Sequence, residues 1–194
     1  MTGTSSFTTS GSDADITLSN TGNAFASAVT LSTTGSSAHA TIDNGTTTLD
    51  IAASSVGGDL TLISGHASGI TDSGNVTGGG DLVATTNANN GVINMGTLRV
   101  DGSVALTTNG NGAATVVNDA GVIFAASTVR GALTATATLG NITQDAAVAV
   151  TGTSSFTTSA SDGTITLSNT SNAFASAVTT VSYTHLTLPT ILLV

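Results

Sequence analysis

The chain has 194 residues, of which 7% are charged, and its eleven Asp stand against two Arg with no Lys or Glu, giving a formal net charge of -9. Phosphate binding needs clustered cations, so this composition argues against a nucleic-acid partner. Hydrophobic residues make up 39% of the chain, an apolar content that disordered chains lack.

The N-terminal stretch MTGTSSFTTS has neither the basic nor the apolar region of a signal peptide. No apolar run is long enough to cross a bilayer, so the sequence predicts no membrane span. The chain contains no cysteine, and cysteine usage therefore does not identify the compartment.

A 29-residue passage occurs twice, at 2–30 and again at 151–179, with four differences and an offset of 149 residues. Met1 takes the place that Val150 has in the second copy, so we expect the chain to open inside a repeat of a longer protein. The predicted organisation is a repeat segment over 1–182, made of a cassette at 2–150 and the start of a second copy at 151–182.

Short stretches of alternating apolar and polar residues, such as DLTLIS, SVALTT and GTITLS, predict β-strands, and no helical period is present. Apolar anchors recur at steps of 22, 31, 22, 22, 29, 23 and 22 residues, so that the 149-residue repeat divides into six units. These anchors are Phe7, Val29, Leu60, Leu82, Val104, Leu133, Phe156 and Val178.

This spacing predicts an all-β solenoid (parallel β-helix) of about eight coils, each of roughly 22–31 residues and three short strands. Like positions on successive coils would stack into internal columns about 4.8 Å apart. Leu60, Leu82 and Val104 are expected to form one such column. Glycine stands two residues before four of the anchors, at Gly58, Gly80, Gly102 and Gly131.

The last residues, 183–194, leave the repeat pattern and contain the only Tyr and the only Pro of the chain. We interpret this tail as translated adapter sequence or a disordered segment, and the alternative is a genuine cap, which solenoid ends need. Open solenoid ends expose unpaired strand edges, so we expect the fragment to self-associate.

Two passages, GNITQDAAVAVTGTSSFTTSASDGTITLSNTSNAFASAVT and SVGGDLTLISGHASGITDSGNVTGGGDL, resemble the repeat regions of filamentous-haemagglutinin-type, autotransporter-like bacterial adhesins. The resemblance covers about Thr2 to Ser182. It implies a right-handed parallel β-helix in a long, secreted or surface-exposed protein of a Gram-negative bacterium, exported by a type V or two-partner route. The family's secretion domain and export signal have no counterpart in these residues.

Asp59 and Asp81 each precede an anchor leucine, so they should lie on neighbouring coils about 5 Å apart. One reading is a Ca²⁺ or polysaccharide site, and the other, which we favour, is a pair of solvated turn residues. Ca²⁺ needs six to eight oxygen ligands, and the equivalent positions of other coils hold Ala28, Ser103 and Ala132.

The remaining candidates are weaker still. Asp101 and Arg130 both stand three residues before an anchor, which suggests an axial ion pair. His39, His66 and His185 have no His or Cys partner at metal-ligand spacing. The sequence therefore nominates no catalytic, cofactor-binding or metal-ligating residue, and no cofactor.

Outward threonines such as Thr8, Thr61, Thr134 and Thr157 suggest an ice-binding face, or simply good strand residues. Our interpretation is a structural shaft segment of an adhesin, located outside the cell or at its surface, with a host-cell surface or extracellular glycan bound through the parent protein. The alternatives are a polysaccharide lyase or hydrolase on the same fold and, less favoured, an ice-binding solenoid.

Overall fold

The computed structural model describes residues 2–183, and these residues contain strands and turns but no helix. The strands are β1 (Ser5–Ser12), β2 (Ile16–Leu18), β3 (Val29–Thr34), β4 (Ala40–Asp43), β5 (Leu49–Ile51), β6 (Ser54–Val56), β7 (Leu60–Ser64), β8 (Ile70–Asp72), β9 (Val76–Gly78), β10 (Leu82–Asn89), β11 (Ile93–Val100), β12 (Ser103–Asn109), β13 (Ala114–Asn118), β14 (Val122–Phe124), β15 (Ser127–Val129), β16 (Leu133–Ala137), β17 (Ile142–Gln144), β18 (Val148–Val150), β19 (Ser154–Thr158), β20 (Ala173–Phe174) and β21 (Val178–Ser182).

The strands form two parallel sheets that run the length of the molecule. Sheet A has eleven strands (β1, β3, β5, β6, β8, β9, β11, β13, β16, β19 and β21), and sheet B has the other ten. Paired residues on successive turns are separated by 19 residues (Ala114 opposite Leu133) to 24 residues (Ser5 opposite Val29). The chain therefore winds into a β-solenoid of about eight turns, as the sequence predicts.

The predicted internal column is confirmed in sheet B. Leu82 lies opposite Leu60 on one side and Val104 on the other, and all three side chains are buried. The alternating strand pattern turns every second side chain inward, so the core is one continuous stack of apolar groups, most of them aliphatic. Burial of apolar side chains and backbone hydrogen bonds between parallel strands therefore both hold successive turns together.

The eight anchors do not form a single column, and this part of the sequence interpretation is wrong. Leu60, Leu82 and Val104 lie in sheet B, whereas the other anchors lie in sheet A. The steps of 31 and 29 residues, which the sequence interpretation fills with loops or an extra strand, pass from one sheet to the other and include additional strands. Seven steps lead from β1 through β3, β5, β8, β11, β13 and β16 to β19, its repeat copy, so a cassette makes seven turns and not six.

Two similar segments, IAASSV (51–56) and FAASTV (124–129), bend a side of the solenoid. The buried Ser54 Oγ accepts a hydrogen bond from the Leu31 N–H (2.9 Å) and donates to the Ala52 carbonyl (2.8 Å). Ser127 Oγ makes the equivalent bonds with the Leu106 N–H (3.1 Å) and the Ala125 carbonyl (3.0 Å). Each serine replaces the ladder bond that the bend removes.

Three of the glycines before the anchors, Gly58, Gly80 and Gly102, lie at one tightly stacked corner, whereas Gly131 stacks on Gly112. The Gly80 N–H donates to the Gly58 carbonyl (3.0 Å), and the Gly102 N–H donates to the Gly80 carbonyl (3.1 Å). A Cβ on Gly102 would run into the backbone of Gly80. Glycine is needed here because backbones of neighbouring turns approach too closely for a side chain.

Candidate functional site

Asp59 and Asp81 lie on neighbouring turns, as predicted, and both are used in hydrogen bonds between turns. The Asp81 N–H donates to Asp59 Oδ1 (2.8 Å). One turn further, the N–H and the hydroxyl of Ser103 both donate to Asp81 Oδ1, at 2.6 and 2.9 Å. Each carboxylate therefore caps the backbone of the next turn along the solenoid.

The same arrangement continues in the opposite direction. The His39 N–H donates to Asp15 Oδ1 (2.8 Å), and the Asp59 N–H donates to His39 Nδ1 (2.9 Å). His39 Nδ1 also lies 3.2 Å from Asp59 Oδ2. We call the series Asp15, His39, Asp59, Asp81 and Ser103 the corner ladder.

The corner ladder explains why acidic residues recur at this position. Carboxylates are strong acceptors for backbone N–H groups, and here they satisfy donors that the turn leaves outside the sheet. The side chains of His39 and Asp59 are 44% and 50% exposed. Among residues 2–183, no group of three or more His, Cys, Asp or Glu side chains is arranged to hold a metal ion.

The proposed Asp101–Arg130 ion pair is wrong. Thr107 lies opposite Thr128, so the register carries Arg130 to the level of Asn109 and away from Asp101. The Arg130 N–H donates to Thr108 Oγ1 (2.9 Å). The error follows from counting both residues back from anchors that belong to different sheets.

The other histidines and the threonines have local roles. His66 Nδ1 lies 2.8 Å from Thr48 Oγ1 and accepts the Ser68 N–H at 3.0 Å, and His185 falls outside the described residues. Of the outward threonines, Thr134 lies between Thr115 and Ser155, and Thr61 lies between Thr41 and Val83. The outward columns thus mix Thr with other side chains.

A groove that the sequence did not indicate runs along the outside of sheet A. Ser32 lies opposite Ser55, Ser55 opposite Thr77, and Thr77 opposite Arg99. A cleft of about 420 Å³ surrounds Arg99, and a second of about 340 Å³ adjoins it at Asn75. We call this strip the Arg99 groove.

A bulge in β11 shapes the groove. Met95 lies opposite Val116 and Leu98 opposite Asn118, so β11 has one residue more than β13 over this interval. Asp72 holds the bulge, because its Oδ1 accepts the Gly96 N–H (2.9 Å) and its Oδ2 accepts the Thr97 N–H (2.7 Å). Bulges of this kind often re-aim side chains beside functional sites.

The repeat sequence at the two ends of the chain matches a known family model, described as repeats of unknown function (DUF5649). The match covers residues 1–32 and 111–181, which is more than half of the chain. The chain belongs to this family.

The two matched segments of the DUF5649 repeats reproduce the internal period, since 1–32 shifted by 149 residues becomes 150–181, the end of the second match. The second match begins at residue 111, so the family unit also includes the turns that precede the duplicated passage. No curated protein and no solved structure matched the chain. In the described part of the chain, no helix is long and apolar enough to cross a membrane.

Proposed function

We propose that this segment is part of the structural shaft of a large secreted or surface-exposed bacterial adhesin, and that it holds a binding region away from the cell. One observation carries the proposal: a 149-residue repeat makes seven turns and returns the chain to the same sheet. Each added repeat therefore increases length without changing the cross-section.

The two copies support this proposal, because one aromatic contact recurs in both. Phe7 packs edge-to-face on Phe25 with ring centroids 5.5 Å apart, and their counterparts Phe156 and Phe174 pack in the same way at 5.9 Å. A repeat that reproduces its own packing geometry can be extended many times.

The proposed parent is a filamentous-haemagglutinin-type adhesin of a Gram-negative bacterium, exported by a type V or two-partner route. This assignment rests on the ITQ, ITL and NAF-type motifs of the repeat. A rigid rod without disulfides suits export in an unfolded state, because it can fold outside the cell from contacts between neighbouring turns.

The proposal assigns no catalysis to this segment. In the corner ladder, backbone N–H groups of each following turn donate hydrogen bonds to the side chains of Asp15, His39, Asp59 and Asp81. Such a role is structural, and replacing these side chains should loosen the corner instead of abolishing a reaction.

Immunogold labelling tests the proposed location. Antibodies raised against the purified chain are applied to intact cells of a bacterium that carries the gene, and to permeabilised cells as the control. We expect gold particles on intact cells, at a distance from the outer membrane. Labelling restricted to permeabilised cells would show an internal protein and would contradict the proposal.

A further inference from the structure

We propose that the Arg99 groove binds a linear saccharide bearing a single carboxylate, with the carboxylate at Arg99 and the sugar hydroxyls along Ser32, Ser55 and Thr77. The inference goes beyond the proposed shaft, since it gives this segment a binding site of its own. It rests on the charge, the shape and the register of the groove.

The charge argument concerns Arg99. The chain has only two cationic side chains of the Lys or Arg type. Within residues 2–183, Arg99 makes no ion pair and no side-chain hydrogen bond, although Asp119 lines the same cleft. Asp119 Oδ1 accepts the Thr138 hydroxyl at 2.7 Å. The exposed guanidinium is therefore available to a ligand.

Asp72, the carboxylate of the bulge, bonds to the backbone and forms no ion pair with Arg99 within residues 2–183. Asp72 accepts two backbone N–H groups and lies 2.9 Å from the Thr97 hydroxyl, so both of its oxygens are occupied. A planar guanidinium with free N–H groups matches the two oxygens of a carboxylate. Because Arg99 forms no ion pair with Asp72 or Asp119 in the described residues, a ligand carboxylate would supply this partner.

The shape argument concerns the direction of the groove. Ser32, Ser55, Thr77 and Arg99 follow one another on four successive turns, at intervals of about 4.8 Å. Three hydroxyls, which can each donate or accept, lie in line with one guanidinium donor and could bind an extended chain rich in hydroxyl groups. The floor is open at Gly96, where an added Cβ would meet no atom within 4 Å.

The net charge limits the ligand to few negative groups. Eleven Asp against two Arg give the molecule a charge of -9, which repels a polyanion such as nucleic acid or a highly sulfated glycan. A single carboxylate on an otherwise neutral saccharide gains the contact with Arg99 with little of this repulsion. Uronic and sialic acids both supply that chemistry.

Calorimetric titration of the full chain tests the proposal with three probes: sialyllactose, a lactose extended by glucuronate, and lactose itself. We expect saturable binding of at least one acidic trisaccharide and at least about tenfold weaker binding of lactose, since charged hydrogen bonds are the stronger ones. Which acidic probe binds identifies the source of the carboxylate.

Arg99→Ala should weaken binding by at least about tenfold, and Arg130→Ala, which removes the only other arginine from a different corner, should change it by less than about twofold. Thr77→Val, with Thr61→Val on sheet B as its control, tests the hydroxyl column. Thermal melting verifies that the variants fold.

Three results would overturn the site: no saturable binding of either acidic probe, equal affinity for lactose, or equal losses in the two arginine variants. None of them bears on the surface labelling that tests the shaft. The two proposals therefore fail separately.

Discussion

Leu82 and Val83 are neighbours on β10, yet their side chains lie in opposite environments. Leu82 is fully buried between Leu60 and Val104, whereas Val83 is 37% exposed on the outer face. The difference arises because side chains alternate across a strand. It offers a matched pair of sites for testing the internal column.

Leu82→Asp should lower the free energy of unfolding by more than about 3 kcal/mol, because it places an unpaired charge inside the aliphatic stack. Val83→Asp places the same charge in solvent and should cost less than about 1 kcal/mol. Urea unfolding followed by circular dichroism measures both. Equal losses in the two variants would show that position 82 does not face the core.

Each of the bent segments, 51–56 and 124–129, divides one side of its turn into two short strands, β5 and β6 in the first and β14 and β15 in the second. At the first bend, Ser54 is buried and bonded to Leu31 and Ala52, while its neighbour Ser55 is exposed in the Arg99 groove. The side-chain hydroxyl thus serves as part of the backbone ladder.

Ser54→Ala should destabilise the chain by about 1–3 kcal/mol, because the Leu31 N–H would stay buried without an acceptor. Ser55→Ala is the control, since it makes the same chemical change one residue away in solvent, and it should alter stability by less than about 0.5 kcal/mol. If chemical denaturation gives the two variants the same midpoint, the serine does not support the bend.

The sequence predicts the elements better than their arrangement. Alternation marks strands such as β7, β10 and β12, and equal 22-residue steps align Leu60, Leu82 and Val104 correctly. The two sheets carry the same alternation, however, so apolar spacing cannot tell which sheet an anchor belongs to. For this reason the anchor spacing predicts that Leu133 stacks next to Val104, whereas Leu133 lies opposite Ala114.

The same limit applies to the candidate sites. Asp59 and Asp81 could be paired from their spacing, because both lie in the evenly spaced turns of sheet B. The Arg99 groove could not be predicted from residue spacing. The stacking of Thr77 and Arg99 depends on the bends in the sheet and on the bulge at Gly96 and Thr97. Of the predicted tail at 183–194, residues 184–194 lie outside the described residues, and the predicted boundaries of the cassette stay predictions.

For the whole molecule, neighbouring turns provide most of each other's contacts. Val29 is fully buried beneath the following turn, whereas its repeat counterpart Val178, on the last described strand, is 45% exposed. The sequence is the same and the environment differs, because one site has a turn on both sides. Self-association of the chain through its outer turns is a prediction that follows from this exposure.

Small-angle X-ray scattering on a lengthened chain measures whether repetition adds length alone. A second copy of residues 2–150 is inserted before residue 151, where the repeat makes the junction native. A dilution series separates this growth from self-association. Seven more turns should lengthen the particle by about 34 Å, at about 4.8 Å per turn, with an unchanged cross-section. A thicker particle whose length hardly grows would contradict the solenoid shaft.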